Sequence, residues 1–107
     1  MSQLHDLQFH IDQAIFTEVL ACIPRAWKNA KLEASSRDTS GNGSSVAIRI
    51  DAMKQPGIAL VSDPLQSQVR ELFLLNKRFK TGLRRIVYTY SQQPDGRWSF
   101  VADYEYA

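Results

Sequence analysis

The residues best suited to chemistry lie near the end of the chain, where Asp103 and Glu105 are two positions apart. On a β-strand such a pair projects from one face, with its backbone positions about 6.5–7 Å apart, and paired carboxylates can perform acid–base catalysis. A catalytic pair, however, needs burial or a close like charge to raise the pKa of one member. The strand alternation instead places this face toward solvent. We therefore interpret the two carboxylates as a charged surface that either maintains solubility or binds a partner.

Other reactive residue types are isolated from one another. His5 and His10 are five positions apart, so on a helix they diverge by roughly 140° and cannot grip one metal ion. Cys22 occupies an apolar helical position with no histidine nearby in sequence, which favours a buried, inert thiol. The GNG segment at 41–43 lacks the strand-to-helix setting and the lysine of a phosphate-binding loop. The sequence therefore predicts no catalytic residue, no metal site and no cofactor, and a protein that is not an enzyme.

A group of basic residues marks the junction between the second predicted helix and the final hairpin. Its members are Lys77, Arg78, Lys80, Arg84 and Arg85. With tyrosines nearby, such a group can bind single-stranded RNA through charge and base stacking. The tyrosines share the face that we assign to the core, however, and cations at a helix C-terminus also complement the helix dipole. Because the net charge is only +2, a nucleic-acid-binding module built on residues 77–85 is an alternative and not our main interpretation.

Length and composition indicate a small globular protein. The chain has 107 residues, of which 44% are hydrophobic and 22% charged, and this predicts a single domain over residues 1–107. No apolar run approaches the roughly 20 residues that cross a bilayer, and the N-terminus lacks the pattern of a signal peptide. The single cysteine excludes an internal disulfide and fits a reducing compartment. We expect a cytoplasmic location and no membrane partner.

The first half of the chain reads as one helix followed by strands. Residues 7–23 carry apolar side chains at spacings of three and four, which indicates a helix that Pro24 ends. Residues 27–35 and 46–51 alternate with a period of two, which is typical of strands. Between them, residues 35–45 contain no apolar side chain and read as a hairpin loop.

The second helix has the clearest predicted boundaries. Asp63 can cap it, Pro64 suits its first position and Gln66 can complete a capping box. Gly82 is the expected left-handed residue after its end. A further short strand at 58–61 precedes the helix.

A β-hairpin closes the chain around a turn at 94–96. One face of the hairpin is aromatic and is predicted to join the core; it comprises Ile86, Tyr88, Tyr90, Trp98, Phe100, Ala102, Tyr104 and Tyr106. The other face and the turn supply the candidate partner-binding residues, which are Asp95, Arg97, Ser99, Asp103 and Glu105. The elements together predict an α+β fold in the order α-β-β-(β)-α-β-β, with two helices packed on one side of an antiparallel sheet.

This order of elements and the closing sequence GLRRIVYTYSQQPDGRWSFVADYEYA resemble the small immunity proteins of bacterial polymorphic toxin systems. The resemblance is to the YezG-type antitoxins and to the immunity partners of contact-dependent inhibition toxins. In that group the terminal hairpin combines an aromatic-rich strand, a D-G turn, an aromatic-x-aromatic step and an acidic-aromatic ending. Here these features fall on residues 87–90, 94–96, 98–100 and 103–106.

The resemblance implies that the protein binds and neutralises the C-terminal domain of one cognate toxin, with a nuclease expected, in the producing cell. The chain departs from the group in charge, because immunity proteins against nucleases are often acidic and this one is slightly basic. The departure argues against plugging of the toxin active site and leaves two readings open, binding at an exosite or a toxin that is not strongly basic. The alternatives are the nucleic-acid-binding module and a dimeric structural or adaptor protein. A free sheet edge would allow homodimer formation in either case.

Overall fold

The helices and strands follow one another in the predicted order. A computed structural model describes residues 3–36, 46–53 and 57–106. Its elements are α1 (Gln3–Cys22), β1 (Asn29–Ser36), β2 (Val46–Ala52), β3 (Ile58–Ala59), α2 (Asp63–Arg78), β4 (Leu83–Gln92) and β5 (Trp98–Tyr106). The α+β fold and its element order are thereby confirmed. The loop predicted at 35–45 and the turn before Gly57 lie outside the described residues, apart from Ser35 and Ser36.

The strands form a single sheet in the order β3-β2-β1-β4-β5. Every neighbouring pair is antiparallel. In the centre of the sheet, Leu32 lies opposite Ile50 on one side and Tyr88 on the other. Both helices contribute to one hydrophobic core with these residues, which confirms that the helices pack on one side of the sheet.

The aromatic face of the closing hairpin belongs to this core, except for Tyr106, which is 47% exposed and for which the prediction was wrong. Tyr88 and Tyr90 are 0% exposed. Phe16 of α1 stacks on Tyr90 at a ring-centroid distance of 5.8 Å and contacts Phe100 at 5.1 Å. Burial of each large side chain of this kind contributes about 1.5–3 kcal/mol to folding. The hairpin and α1 therefore stabilise each other.

Helix α1 begins one turn earlier than predicted and is rotated relative to the apolar stripe. Gln8 is buried, whereas Leu7 is 37% exposed. The rotation is explained by a buried hydrogen bond between the helices, in which Asn76 Nδ2 donates to Gln8 Oε1 at 2.9 Å. Cys22 is partly buried. Neither helix in the described part of the chain is long and apolar enough to span a membrane.

Helix α2 uses a different N-terminal cap from the one predicted. The cap is Ser62, whose Oγ accepts a hydrogen bond from the backbone N–H of Leu65 at 3.2 Å. Asp63 is already the first helical residue, where its charge complements the positive end of the helix dipole. The prediction of Asp63 as the cap was therefore wrong by one position.

The C-terminal end of α2 is also closed by a different residue. The N–H of Thr81 donates to the carbonyl of Asn76 and the N–H of Lys80 to that of Lys77, both at 3.1 Å. This pair of bonds is a Schellman motif, which requires a left-handed residue after the cap. That residue is Lys80, with a φ of 57°, and not Gly82, although Gly82 also has a positive φ of 78°.

Candidate partner-binding surface

The side of the sheet that faces away from α1 and α2 has no helix packed on it within the described ranges. We name this surface the open face. It consists of the outward-pointing residues of four strands, which are Lys31, Glu33, Ser35, Ala47, Arg49, Asp51, Arg85, Val87, Thr89, Ser91, Ser99, Val101, Asp103 and Glu105. The strict alternation of the strands places all of them on one side. The open face is therefore a continuous polar surface backed by a rigid sheet.

Arg85 connects three strands of the open face. Its Nε donates to Glu33 Oε2 at 2.9 Å and its Nη1 donates to Glu105 Oε2 at 3.1 Å. The hydrogen bond from Arg85 holds the pKa of Glu33 below its ordinary value, and the two carboxylates raise the pKa of Arg85. All three side chains are accessible to solvent, so the ion pairs add little to stability. Their effect is to hold two carboxylates in fixed positions.

The remaining charges of the open face are arranged unevenly. Arg49 Nε pairs with Asp51 Oδ1 at 2.8 Å on the β2 side. On the β5 side, Asp103 lies opposite Val87 and makes no ion pair within the described residues. Glu105 is its neighbour along the strand. The β5 half of the open face is therefore acidic, even though the whole chain carries a net charge of +2.

An apolar centre lies beside these carboxylates. Val101 is 63% exposed and lies opposite Thr89, and Val87 lies opposite Asp103. Protein interfaces commonly combine a small apolar centre, which is desolvated on binding, with a polar rim. The arrangement around Val101 has this composition.

A shallow cleft of about 520 Å³ lies at the other end of the open face. Lys31, Arg49 and Asp51 form its polar side, and Met53 and Ile58 form its apolar side. Met53 and Ile58 are both exposed. The open face thus carries apolar side chains at both ends, separated by the ion pairs of Arg85 and Arg49.

The predicted site residues fall into two places. Ser99, Asp103 and Glu105 lie on the open face, as expected from the alternation of β5. Asp95 and Arg97 lie in the turn at its end, where Asp95 Oδ1 accepts the backbone N–H of Arg97 at 2.9 Å. The side chains of this pair are 3.7 Å apart and exposed. The structure therefore brings Asp103 and Glu105 together with Arg85 and separates them from the turn residues.

The basic cluster predicted at 77–85 is divided by the fold. Lys77 and Arg78 lie in the last turn of α2, on the helix-covered side of the molecule. Arg85 lies on the open face, where two carboxylates neutralise it. Arg85 is therefore separated from Lys77 and Arg78.

A partly buried carboxylate that the sequence analysis missed lies on the helix-covered side of the sheet. Asp12 of α1 accepts hydrogen bonds from the hydroxyl of Tyr88 and, at 2.5 Å, from the hydroxyl of Tyr104. Burial raises the pKa of Asp12 against the opposing effect of these two hydrogen bonds. Burial and the nearby carboxylate also raise the pKa of both tyrosines. The cluster attaches α1 to both strands of the hairpin.

The position of Asp12 along α1 could have indicated this cluster from the sequence. It follows the buried Gln8 by four residues and precedes the buried Ile15 by three, so it lies on the helical face that meets the sheet. The hydroxyl of Tyr90, close to Tyr88, is buried and has no partner among the described residues. Among residues 3–36, 46–53 and 57–106, no group of three His, Cys, Asp or Glu side chains is placed to hold a metal ion.

Comparison with protein-family models, curated proteins and solved structures gives no match to this chain. What the structure itself defines is a class of architecture. It is an α+β protein whose five-stranded antiparallel sheet has one helix-covered face and one open face with ordered charges.

Proposed function

We propose that the protein is an immunity protein, which binds and neutralises a cognate bacterial toxin domain in the cytoplasm of the producing cell. The observation that carries the proposal is the open face, where Arg85 holds Glu33 and Glu105 in place and the exposed Val101 lies next to Asp103 along β5. The function is binding and not catalysis. The charge and shape of the β5 half decide which partner fits.

Preorganisation supports a role of this surface in binding. Arg85 already holds Glu33 and Glu105 by hydrogen bonds in the free protein. Binding of a partner to these carboxylates therefore costs less conformational entropy than binding to freely rotating side chains would. The sheet beneath them adds rigidity, because β4 is paired with β1 on one side and with β5 on the other.

The charge of the β5 half indicates a basic partner. Asp103 is exposed and unpaired among the described residues, and Glu105 lies beside it. Complementary charges of this kind increase the association rate and set specificity. A nuclease domain carries cations for its nucleic-acid substrate, which makes it the toxin class that we favour. The small net positive charge of the chain does not oppose this, because on β5 itself the open face carries Asp103 and Glu105 and no cation.

The proposal is tested by co-expression and by binding. The probe is a secreted toxin domain encoded in the same genome, for which the gene immediately upstream is the first place to search. It is used active in a growth assay and catalytically inactivated in calorimetry. We expect the protein to restore growth and to bind the inactive domain at submicromolar concentration. Failure to bind at about 10 µM, a concentration well above that of a specific immunity complex, would refute the immunity function.

The location of the interface is tested separately with matched charge reversals. Asp103→Lys changes the open face, and Glu71→Lys makes the same charge change at an exposed position of α2. We expect Asp103→Lys to weaken binding about tenfold or more, which is the effect of losing one complementary charge pair, and Glu71→Lys to leave it within about twofold. Equal effects of the two variants would exclude the β5 half as the interface.

A further inference from the structure

The two edges of the sheet differ in length. At one edge β3 comprises only Ile58–Ala59, whereas at the other β5 runs over the nine residues Trp98–Tyr106. Proteins commonly protect exposed edges by short strands, prolines or lysines, since an unpaired strand can pair with another chain. The β3 edge is protected by its shortness. The β5 edge contains neither proline nor lysine.

The aromatic side chains of β5 are less completely covered than those of β4. Tyr88 and Tyr90 of β4 are fully buried, whereas Trp98, Phe100 and Tyr104 of β5 are only half-buried. Tyr106, at the end of β5, is 47% exposed. Phe9, which lies one turn before Asp12 on α1, is 58% exposed. Partly exposed aromatic side chains therefore lie along the β5 edge.

The hairpin turn determines which backbone groups of β5 face this edge. The N–H of Gln93 donates to the carbonyl of Arg97, and in an antiparallel pair such bonds recur at every second residue. The odd-numbered residues of β5 therefore bond to β4. The N–H and C=O groups of the even-numbered residues, with Ala102 in the middle, point outward to the free edge.

We propose that a second copy of this chain pairs with β5 in an antiparallel orientation, with Ala102 of each copy on the two-fold axis. The two five-stranded sheets then form one ten-stranded sheet. In this register Trp98 lies opposite Tyr106 of the second copy, and Phe100 lies opposite Tyr104. Aromatic cross-strand pairs of this kind stabilise β-sheets, and at the axis the two Ala102 residues exchange both of their backbone hydrogen bonds.

The occupant is a second copy because the aromatic side of β5 is self-complementary about Ala102. On the open-face side of the same register, Val101 lies opposite Asp103 of the second copy and Ser99 lies opposite Glu105. Arg97 is diagonal to Glu105, where opposite charges attract. The two Asp103 side chains are diagonal to each other at about 7–8 Å, and solvent reduces their repulsion because both are exposed.

The dimer is tested in solution on the full chain, without any toxin. We expect sedimentation velocity at tens of micromolar to give the dimer mass. Ala102→Pro removes an outward N–H and obstructs a neighbouring strand, while proline is tolerated on an edge strand. We therefore expect this variant to be monomeric with an unchanged circular dichroism spectrum. A wild-type protein that stays monomeric up to about 100 µM, where weak specific pairs are populated, would overturn the proposal.

The register is tested at Val101, which is exposed and tolerates a charge in the monomer. Because Val101 lies opposite Asp103 of the second copy twice per dimer, Val101→Lys should tighten dimerisation about tenfold and Val101→Glu should weaken it by a similar factor. If Ala102→Pro fails to fold, the comparison of Val101→Lys with Val101→Glu still tests whether the β5 edges pair in this register. Equal dimerisation constants for the two variants, or a dimer that survives in folded Ala102→Pro, would show that the interface is not the β5 edge in this register.

Discussion

The cluster around Asp12 provides the sharpest test of how this fold is held together. In Asp12→Ala the hydroxyls of Tyr88 and Tyr104 lose their common acceptor. Tyr88 is 0% exposed, so its hydroxyl is left buried without a partner, at a cost of about 1–3 kcal/mol. Tyr104 is half-exposed and can turn to water, so that its loss is about 1 kcal/mol. Relief of the desolvation of the carboxylate offsets part of this, and we expect a net loss of about 2–3 kcal/mol in the free energy of unfolding.

The pH dependence of this loss has a definite sign. Burial raises the pKa of Asp12 above its ordinary value of 3.8, so the folded protein takes up a proton at higher pH than the unfolded chain does. The stability that this protonation adds is fully present below the unfolded pKa and is lost as pH rises through the folded pKa. Asp12→Ala lacks this contribution. The destabilisation should therefore be larger at about pH 4 than at about pH 7.

Urea unfolding followed by circular dichroism at both pH values measures these differences. Asp6→Ala is the matched control, because Asp6 is exposed and lies in the first turn of the same helix. We expect the control to change stability by about 0.5 kcal/mol or less, with no increase at low pH. An Asp12→Ala effect as small as that of the control, or one that shrinks at low pH, would refute the role assigned to the partly buried carboxylate.

Three further effects on stability follow from the structure. Lys80 has a left-handed backbone conformation, and Lys80→Gly relieves a strain of about 1–2 kcal/mol. The greater conformational entropy of glycine in the unfolded chain offsets part of this, so the free energy of unfolding, measured with urea, should rise by about 0.5–1 kcal/mol. Ser62→Ala removes the cap of α2 and should lower the free energy of unfolding by about 1 kcal/mol in the same assay; no change would mean that the cap is dispensable. Burial raises the pKa of Tyr88 and Tyr104, so stability should fall as pH rises above the unfolded value of 10.0. Unfolding in alkaline buffers should show a shallower decline for Tyr104→Phe, and an identical decline would contradict the assignment.

The sequence predicted which side chains of the hairpin share a face, because side chains alternate between the two faces along a β-strand. Once the turn at 94–96 sets the register, every side chain of β4 and β5 is assigned to one face or the other. The ends of α2 were less predictable. Ser62 and Asp63 are both good caps, and local sequence does not show which of them takes the extended backbone. At the C-terminal end of α2, a glycine adopts the left-handed conformation at lower free-energy cost than a lysine does. The hydrogen bonds of the Schellman motif nevertheless place Lys80 in that conformation.

The polar contacts that organise the two faces could not be predicted from local patterns. Asp12 meets Tyr88 and Tyr104 across 76 and 92 residues of chain. Arg85 was grouped with neighbouring cations because they are close in sequence, although its partner Glu33 is 52 residues away. Such pairs depend on the strand order β3-β2-β1-β4-β5, which brings β4 between β1 and β5. The alternation of β4 already places Arg85 on the face opposite Ile86, and a prediction of the strand order would have added Glu33 as its neighbour.

The two proposed surfaces share Asp103, so the proposals predict a coupling between toxin binding and dimerisation. In the dimer the two Asp103 carboxylates face each other diagonally, and their repulsion opposes pairing. A basic partner that neutralises Asp103 on the open face removes this repulsion. The toxin domain should therefore tighten the dimer, and by thermodynamic linkage the dimer should bind the toxin domain more tightly by the same factor. Asp103→Asn should strengthen dimerisation without toxin and abolish the coupling. Coupling that is unchanged in this variant would show that the two surfaces communicate by a route other than Asp103.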